Sequence, residues 1–149
     1  MTMNTNQTTP FLRAPRTWLV TAALLASVAG VFVARTAFAR IAQNTIDPVA
    51  RVSEQGRHLT VSGPLLFTAG ETALLRVTVT QRATGALAEG ELELTSTGGT
   101  NHWQVVATAQ GKAVFAPGPA EAVGLAVTTL RGTTTDAHQW LVNITLVAE

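Results

Sequence analysis

Two histidines and an aspartate beside tryptophans are the residues best suited to chemistry in this sequence. Asp136 and His138 are two positions apart, so in an extended strand their side chains share one face. His102 lies in a different extended segment and could approach them from a neighbouring strand. One carboxylate and two imidazoles would be a ligand set for a divalent metal ion, or the polar groups of a hydrolytic site.

The phases of the two histidines oppose such a site. His102 alternates out of phase with Trp103, whereas His138 is in phase with Trp140. With both indoles in a core, the two imidazoles point to different sides. The sequence also has no cysteine and no serine in a G-x-S-x-G motif. We therefore expect half-exposed histidines, no catalytic centre, no metal and no cofactor.

Short β-strands are the elements that would carry these residues. Beyond Val49, apolar and polar residues alternate, and no segment keeps a helical apolar stripe for three turns. The predicted strands are 58–67 (interrupted at Gly63-Pro64), 73–81, 91–95, 102–109, 113–116, 122–130 and 138–147, with 131–137 as a loop. About seven strands at roughly ten-residue spacing predict an all-β, immunoglobulin-like antiparallel β-sandwich.

The alternation also predicts which residues fill the core. One phase of each strand holds the larger apolar side chains, and these are expected to point inward. The predicted core residues are Leu75, Val77, Val79, Trp103, Leu125, Val127, Trp140 and Ile144.

The strand at 122–130 has small residues in its other phase. These residues are Ala122, Gly124, Ala126 and Thr128. An outward sheet face normally carries longer polar side chains, whereas small residues leave a flat surface that another backbone can approach closely. The pattern predicts a docking face for a protein partner or a second copy. A loop or linker of this chain lying across the face is the alternative.

The first 39 residues resemble an export signal in their layout. They carry three arginines and no acid, and residues 17–34 contain no charge. Ala37 and Ala39 occupy the two small positions of a signal-peptidase site, so cleavage is expected before Arg40. The alanine-rich run is only moderately apolar, which favours a cleaved signal peptide over an uncleaved leader helix that anchors the chain. Both readings export the domain, to the periplasm, the cell surface or the medium.

The remaining chain is divided into a short linker, 40–48, and a domain, 49–149. Residues 40–149 hold nine acids and seven bases, a net charge of −2, and the bases are scattered. A nucleic-acid partner is therefore not expected, and contact with a membrane is expected only through an uncleaved leader.

The preference for arginine over lysine points to a bacterial source. The sequence predicts an exported, non-enzymatic module that makes protein or envelope contacts. A structural subunit of a surface assembly and a metal-handling or hydrolytic protein are the alternatives.

Overall fold

The computed structural model describes residues 41–53 and 55–149. The predicted leader, including Ala37, Ala39 and Arg40 of the cleavage site, lies outside these residues. The strands are β1 (Ile41–Asn44), β2 (Val49–Val52), β3 (His58–Phe67), β4 (Thr72–Gln81), β5 (Ala86–Thr95), β6 (Asn101–Gln110), β7 (Gly118–Leu130) and β8 (Thr133–Ala148). Within the described ranges, no helix is long and apolar enough to cross a membrane.

Seven of these strands close into a barrel. The ring runs β3-β2-β8-β7-β4-β5-β6 and returns from β6 to β3, while β1 pairs with the end of β3. All pairs are antiparallel except β2 with β8, which are parallel. The predicted immunoglobulin-like β-sandwich is therefore wrong. A sandwich has two separate sheets packed face to face, whereas here strand pairing continues around the whole ring.

Two seams explain the closure. At one seam the four-residue β2 pairs with β8 on one edge and with β3 on the other, so it bridges strands that a sandwich would leave apart. At the other seam β5 and β6 pair only between 87–89 and 108–110. Gly90 follows directly, and a Cβ there would lie 2.9 Å from the Val106 carbonyl oxygen. The missing side chain lets β5 pass close to β6 and turn the corner of the barrel.

Two predicted interruptions of strands also require correction. Gly63 and Pro64 do not interrupt β3, and they pair with Trp103 and His102 of β6. The predicted loop at 131–137 is only a tight turn at Arg131 and Gly132, and β8 begins at Thr133.

The predicted strand at 113–116 is a loop, and a buried glutamine side chain holds it. The Gln81 Nε2 donates to the Ala116 carbonyl at 2.8 Å, and the Ala116 amide donates to Gln81 Oε1 at 3.0 Å. These bonds satisfy backbone groups that a strand would have paired with a neighbour.

The barrel interior contains most of the predicted core. Leu75, Val77, Val79, Trp103 and Ile144 are all buried. Trp140 is partly buried and packs against this core.

The phase of β7 is opposite to the prediction. Leu125 and Val127, predicted as core, are only partly buried and face outward. The predicted docking face points into the barrel instead, and its residues are all buried: Ala122, Gly124, Ala126 and Thr128. They therefore form no surface for a partner.

A tryptophan on the neighbouring strand explains this inversion. Gly124 lies directly opposite Trp140 in the pairing of β7 with β8. A Cβ at Gly124 would lie 2.5 Å from Trp140 Cζ2, so the indole rests on the glycine backbone. A narrow barrel is filled by combining large and small inward side chains. Since the neighbouring strands supply large ones, β7 supplies small ones.

The second core tryptophan repeats this arrangement across the barrel. Trp103 lies opposite Gly63, where a Cβ would lie 2.9 Å from its Cζ2 atom. The backbone between β1 and β2 passes over the same glycine, at Thr45 and Ile46. Two cross-strand pairs of tryptophan with glycine therefore determine how these strands approach one another.

Replacement of Gly124 by Ala should destabilise the barrel, because the new methyl group must displace the Trp140 indole. We expect a loss of about 1–3 kcal/mol in the free energy of unfolding, measured by urea titration. Gly99→Ala is the matched control, since a Cβ at Gly99 meets nothing within 4 Å. Equal stability of the two variants would show that the indole does not need the glycine.

Candidate functional site

The Asp136 carboxylate ties strands together. Its Oδ2 accepts a hydrogen bond from the Ile41 amide at 3.1 Å, which joins β8 to the start of β1. Its Oδ1 accepts from the adjacent Ala137 amide at 2.9 Å. Both carboxylate oxygens therefore bind backbone amides, which is a structural role.

The two histidines lie in different environments. His138 is exposed and stacks on Trp140, with the ring centroids 6.3 Å apart and the planes at 22°. His102 is exposed on β6, opposite Pro64 of β3. Across residues 41–53 and 55–149, no three His, Cys, Asp or Glu residues are close enough to hold a metal ion. The structure does not bring Asp136, His138 and His102 together as a site.

A cluster of aliphatic side chains covers the outer face of β4, β7 and β8. Its members, called the apolar stripe below, are Leu74, Val123, Leu125, Val127 and Leu141. The register places Leu74 beside Val127 and Val123 beside Leu141, so the side chains are neighbours across three adjacent strands. Leu74 is 46% exposed and Leu141 is 60% exposed. Clustered exposed aliphatic residues of this kind mark interaction surfaces more often than single ones do.

A line of acids runs along one side of the apolar stripe. Glu89, Glu91 and Glu93 point outward from β5, next to β4, and all three are exposed. Glu91 forms an ion pair with Arg76 at 2.6 Å. Glu89 and Glu93 have no ion-pair partner among the described residues. Two strand spacings separate β5 from β7, about 10 Å, so these charges lie within one screening length of the stripe.

A pocket lies at one end of the stripe, on the same outer face. Its volume is about 370 Å³ and its walls are largely apolar. The lining includes Thr80, Ala83, Pro119, Ala120, Asn143 and Ile144. An Arg82–Glu121 ion pair of 3.1 Å forms part of the rim. Thr80, Glu121 and Asn143 form the row next to Thr78, Val123 and Leu141, so the pocket continues the stripe.

A second concavity, of about 430 Å³, lies on β2, β3 and β6. Its walls are mainly polar, and Thr60 Oγ1 in its wall donates to Glu149 Oε1 at 3.5 Å. Ser62, also in the wall, donates to Asp47 Oδ2 at 2.5 Å. Three of the polar side chains in this wall, those of Thr60, Ser62 and Glu149, are therefore already hydrogen-bonded.

The sequence predicted a docking face on β7 in the phase that the structure buries. The residues of the apolar stripe could have been found from the sequences of the two strands that flank β7. Leu74 is out of phase with the core residue Leu75, and Leu141 is out of phase with Trp140. Large apolar residues in the outward phase of two strands that flank β7 would have indicated the stripe.

Removing the Asp136 carboxylate should loosen β1, because the Ile41 amide would lose its acceptor in a partly buried position. For Asp136→Ala we expect a loss of about 1–3 kcal/mol in unfolding free energy, with faster hydrogen exchange at Ile41. Gln139→Ala, an exposed position on the same strand, is the control and should change stability by less than about 0.5 kcal/mol. Unchanged exchange at Ile41 would contradict the tie between β1 and β8.

Comparison with protein-family models and with curated proteins gives no relative for this chain. No protein-family model matches the sequence. No curated protein is significantly similar to it either. The function must therefore be inferred from the residues of this chain and from the surface that they form.

Proposed function

We propose that this chain is an exported, non-enzymatic module that binds another protein through the apolar stripe. The observation that carries the proposal is the outward cluster of five aliphatic side chains on three hydrogen-bonded strands. The fold does not require aliphatic residues there. On the same face, β4 carries Arg76, Thr78 and Thr80 in the outward phase without disturbing the core.

The energy available from the stripe suits a specific but moderate contact. Full burial of a Val or Leu side chain stabilises by about 1.5–3 kcal/mol, and these side chains are already partly buried. Five of them would contribute about 3–6 kcal/mol together. Association costs about 4–15 kcal/mol in lost freedom of motion. The stripe is therefore the centre of a larger contact, and groups around it must contribute as well.

The enzyme alternative rests on Asp136, His138 and His102, and the structure gives it no support. Asp136 and His138 lie on β8 and His102 lies on β6, and no three such residues of the described ranges are close enough to hold a metal ion. The Asp136 carboxylate also binds two backbone amides. A binding role requires none of these residues in a catalytic position.

The export part of the proposal rests on the sequence of the leader. Its arginines, its uncharged run at 17–34 and the small residues Ala37 and Ala39 support a signal peptide. An uncleaved anchor remains the alternative, and it would leave the same barrel on the same side of the membrane. A barrel without cysteines needs no oxidising compartment, so it can fold in any of these locations.

A photo-crosslinking amino acid at position 141 of the full chain should trap the partner in the cells that make this protein. We expect one discrete crosslinked product that contains a second protein, identified by mass spectrometry. Leu74→Glu in the same chain should abolish this product, because it adds a charge within the stripe.

The same amino acid at position 106 is the matched control, since Val106 is a 54% exposed aliphatic residue on β6, away from the stripe. Equal products from both positions, or no product from position 141, would refute the docking role. A product of two identical chains would instead support the alternative, a structural subunit that self-associates.

Cleavage before Arg40 can be tested on exported material. N-terminal sequencing should begin with RIAQNTIDP, because small residues occupy both recognition positions before that bond. An intact Met1 in the membrane fraction would establish the uncleaved anchor instead.

A further inference from the structure

We infer that the partner of the apolar stripe presents a basic segment with one large apolar anchor residue. The anchor occupies the pocket at Thr80, Pro119 and Asn143, and lysine or arginine side chains of the partner meet Glu89 and Glu93. This inference rests on the proposed function, because it names the chemistry of the protein that the stripe binds.

The pocket has the size and lining of an anchor site. Its volume of about 370 Å³ is near the lower end of ligand pockets, which range from roughly 300 to 1,000 Å³. That space suits one large side chain rather than a cofactor. Pro119, Ala120 and Ile144 give it an apolar wall, and Asn143 supplies a polar group at the side. Interface energy concentrates on large side chains that fill such pockets beside flatter apolar contacts.

The charges around the stripe indicate the sign of the charge that a partner carries. Six charged side chains lie at the outward positions of β4, β5 and β7 or line the pocket: Arg76, Arg82, Glu89, Glu91, Glu93 and Glu121. Their net charge is −2, and both arginines already form ion pairs with glutamates of the same face. The unpaired charges are therefore Glu89 and Glu93. Charge complementarity across an interface favours a partner with cations at these positions.

The same charges disfavour the other occupants. Residues 41–149 hold nine acids and six bases, so a second copy would bring two acidic surfaces together. Its arginines on this face are also already paired. A bilayer with anionic headgroups would meet the acidic line of β5 and be repelled. A basic, apolar protein segment satisfies both the stripe and the glutamates.

A library of random 12-residue peptides displayed on phage is the probe. Peptides that bind the full chain in detergent should be selected from it. The affinity of each selected peptide is then measured for the unaltered chain and for the Leu141→Glu and Val106→Glu variants. We expect winners that combine one aromatic or large aliphatic residue with several lysines or arginines. Their affinity should fall at least tenfold with Leu141→Glu and should not change with Val106→Glu.

The double variant Glu89→Gln, Glu93→Gln isolates the charge. Both side chains are exposed, so the barrel should remain folded. We expect a threefold or greater loss of affinity and a weaker dependence on salt. The double variant Glu91→Gln, Arg76→Gln is the control, because it removes a charge pair and leaves the net charge unchanged.

The outcomes separate this inference from the proposed function. Neutral or acidic winners that still depend on Leu141 would overturn the basic partner and leave the docking surface in place. Basic winners that bind Leu141→Glu as well as the unaltered chain would overturn the docking surface itself. Self-association in sedimentation velocity that is abolished by Leu141→Glu would identify a second copy as the occupant, and would overturn the inference.

Discussion

The contact between the Trp140 indole and the Gly124 backbone is the constraint from which the surface of this barrel follows. The indole occupies the space where a side chain at position 124 would project. The inward phase of β7 must therefore be small at this point, and Ala122 and Ala126 continue that phase on either side. Because strand side chains alternate, the larger aliphatic residues of β7 must then face outward.

Trp103 and Gly63 form the same kind of contact between β3 and β6, which shows that the barrel packs a tryptophan against a glycine in two strand pairs. Neither buried indole N–H has an acceptor among the described residues.

This constraint explains why β7 is inverted but does not explain why its outer face is aliphatic. Packing of the interior is indifferent to the outward residues, as the Arg76 and Thr78 side chains of β4 demonstrate. Threonine at positions 123, 125 and 127 would suit a strand and would keep the surface polar. Outward Val and Leu are therefore not a requirement of the fold, and the same holds for Leu74 and Leu141 on the flanking strands. This separation between what the core demands and what the surface carries is the strongest argument that the apolar stripe serves an interaction.

Alternation in the sequence was sufficient to locate most strands and insufficient to predict their arrangement. The strands now labelled β4, β6 and β8 were recognisable because their inward residues are large and their outward residues mainly polar. Closure depends on β2, a four-residue strand that pairs with the nearby β3 on one edge and with β8, at the other end of the domain sequence, on the other edge. No local pattern encodes the pairing of β2 with β8. The loop at 113–116 has strand-like residues, but the buried Gln81 side chain binds its backbone in place of a neighbouring strand. The phase of β7 was misjudged because both of its faces are apolar, so only the volume of the interior could decide between them.

The candidate site also depends partly on local sequence pattern and partly on contacts between residues far apart in the sequence. Asp136 and His138 lie on one strand, β8, although the sequence predicted Asp136 in a loop. Their roles depend on Ile41 and Trp140, which sequence spacing cannot bring to them. The apolar stripe, in contrast, is visible in outline as outward leucines on two strands, and it becomes one surface only when register aligns them across β7. That register also makes the surface rigid, since β4, β7 and β8 are paired along nearly their whole overlap. A partner would therefore meet backbone that is already ordered, and the backbone entropy lost on this side of the contact would be small. Preorganisation of this kind would allow a stripe of only five aliphatic residues, with a pocket at its end and acids along its side, to support the proposed binding.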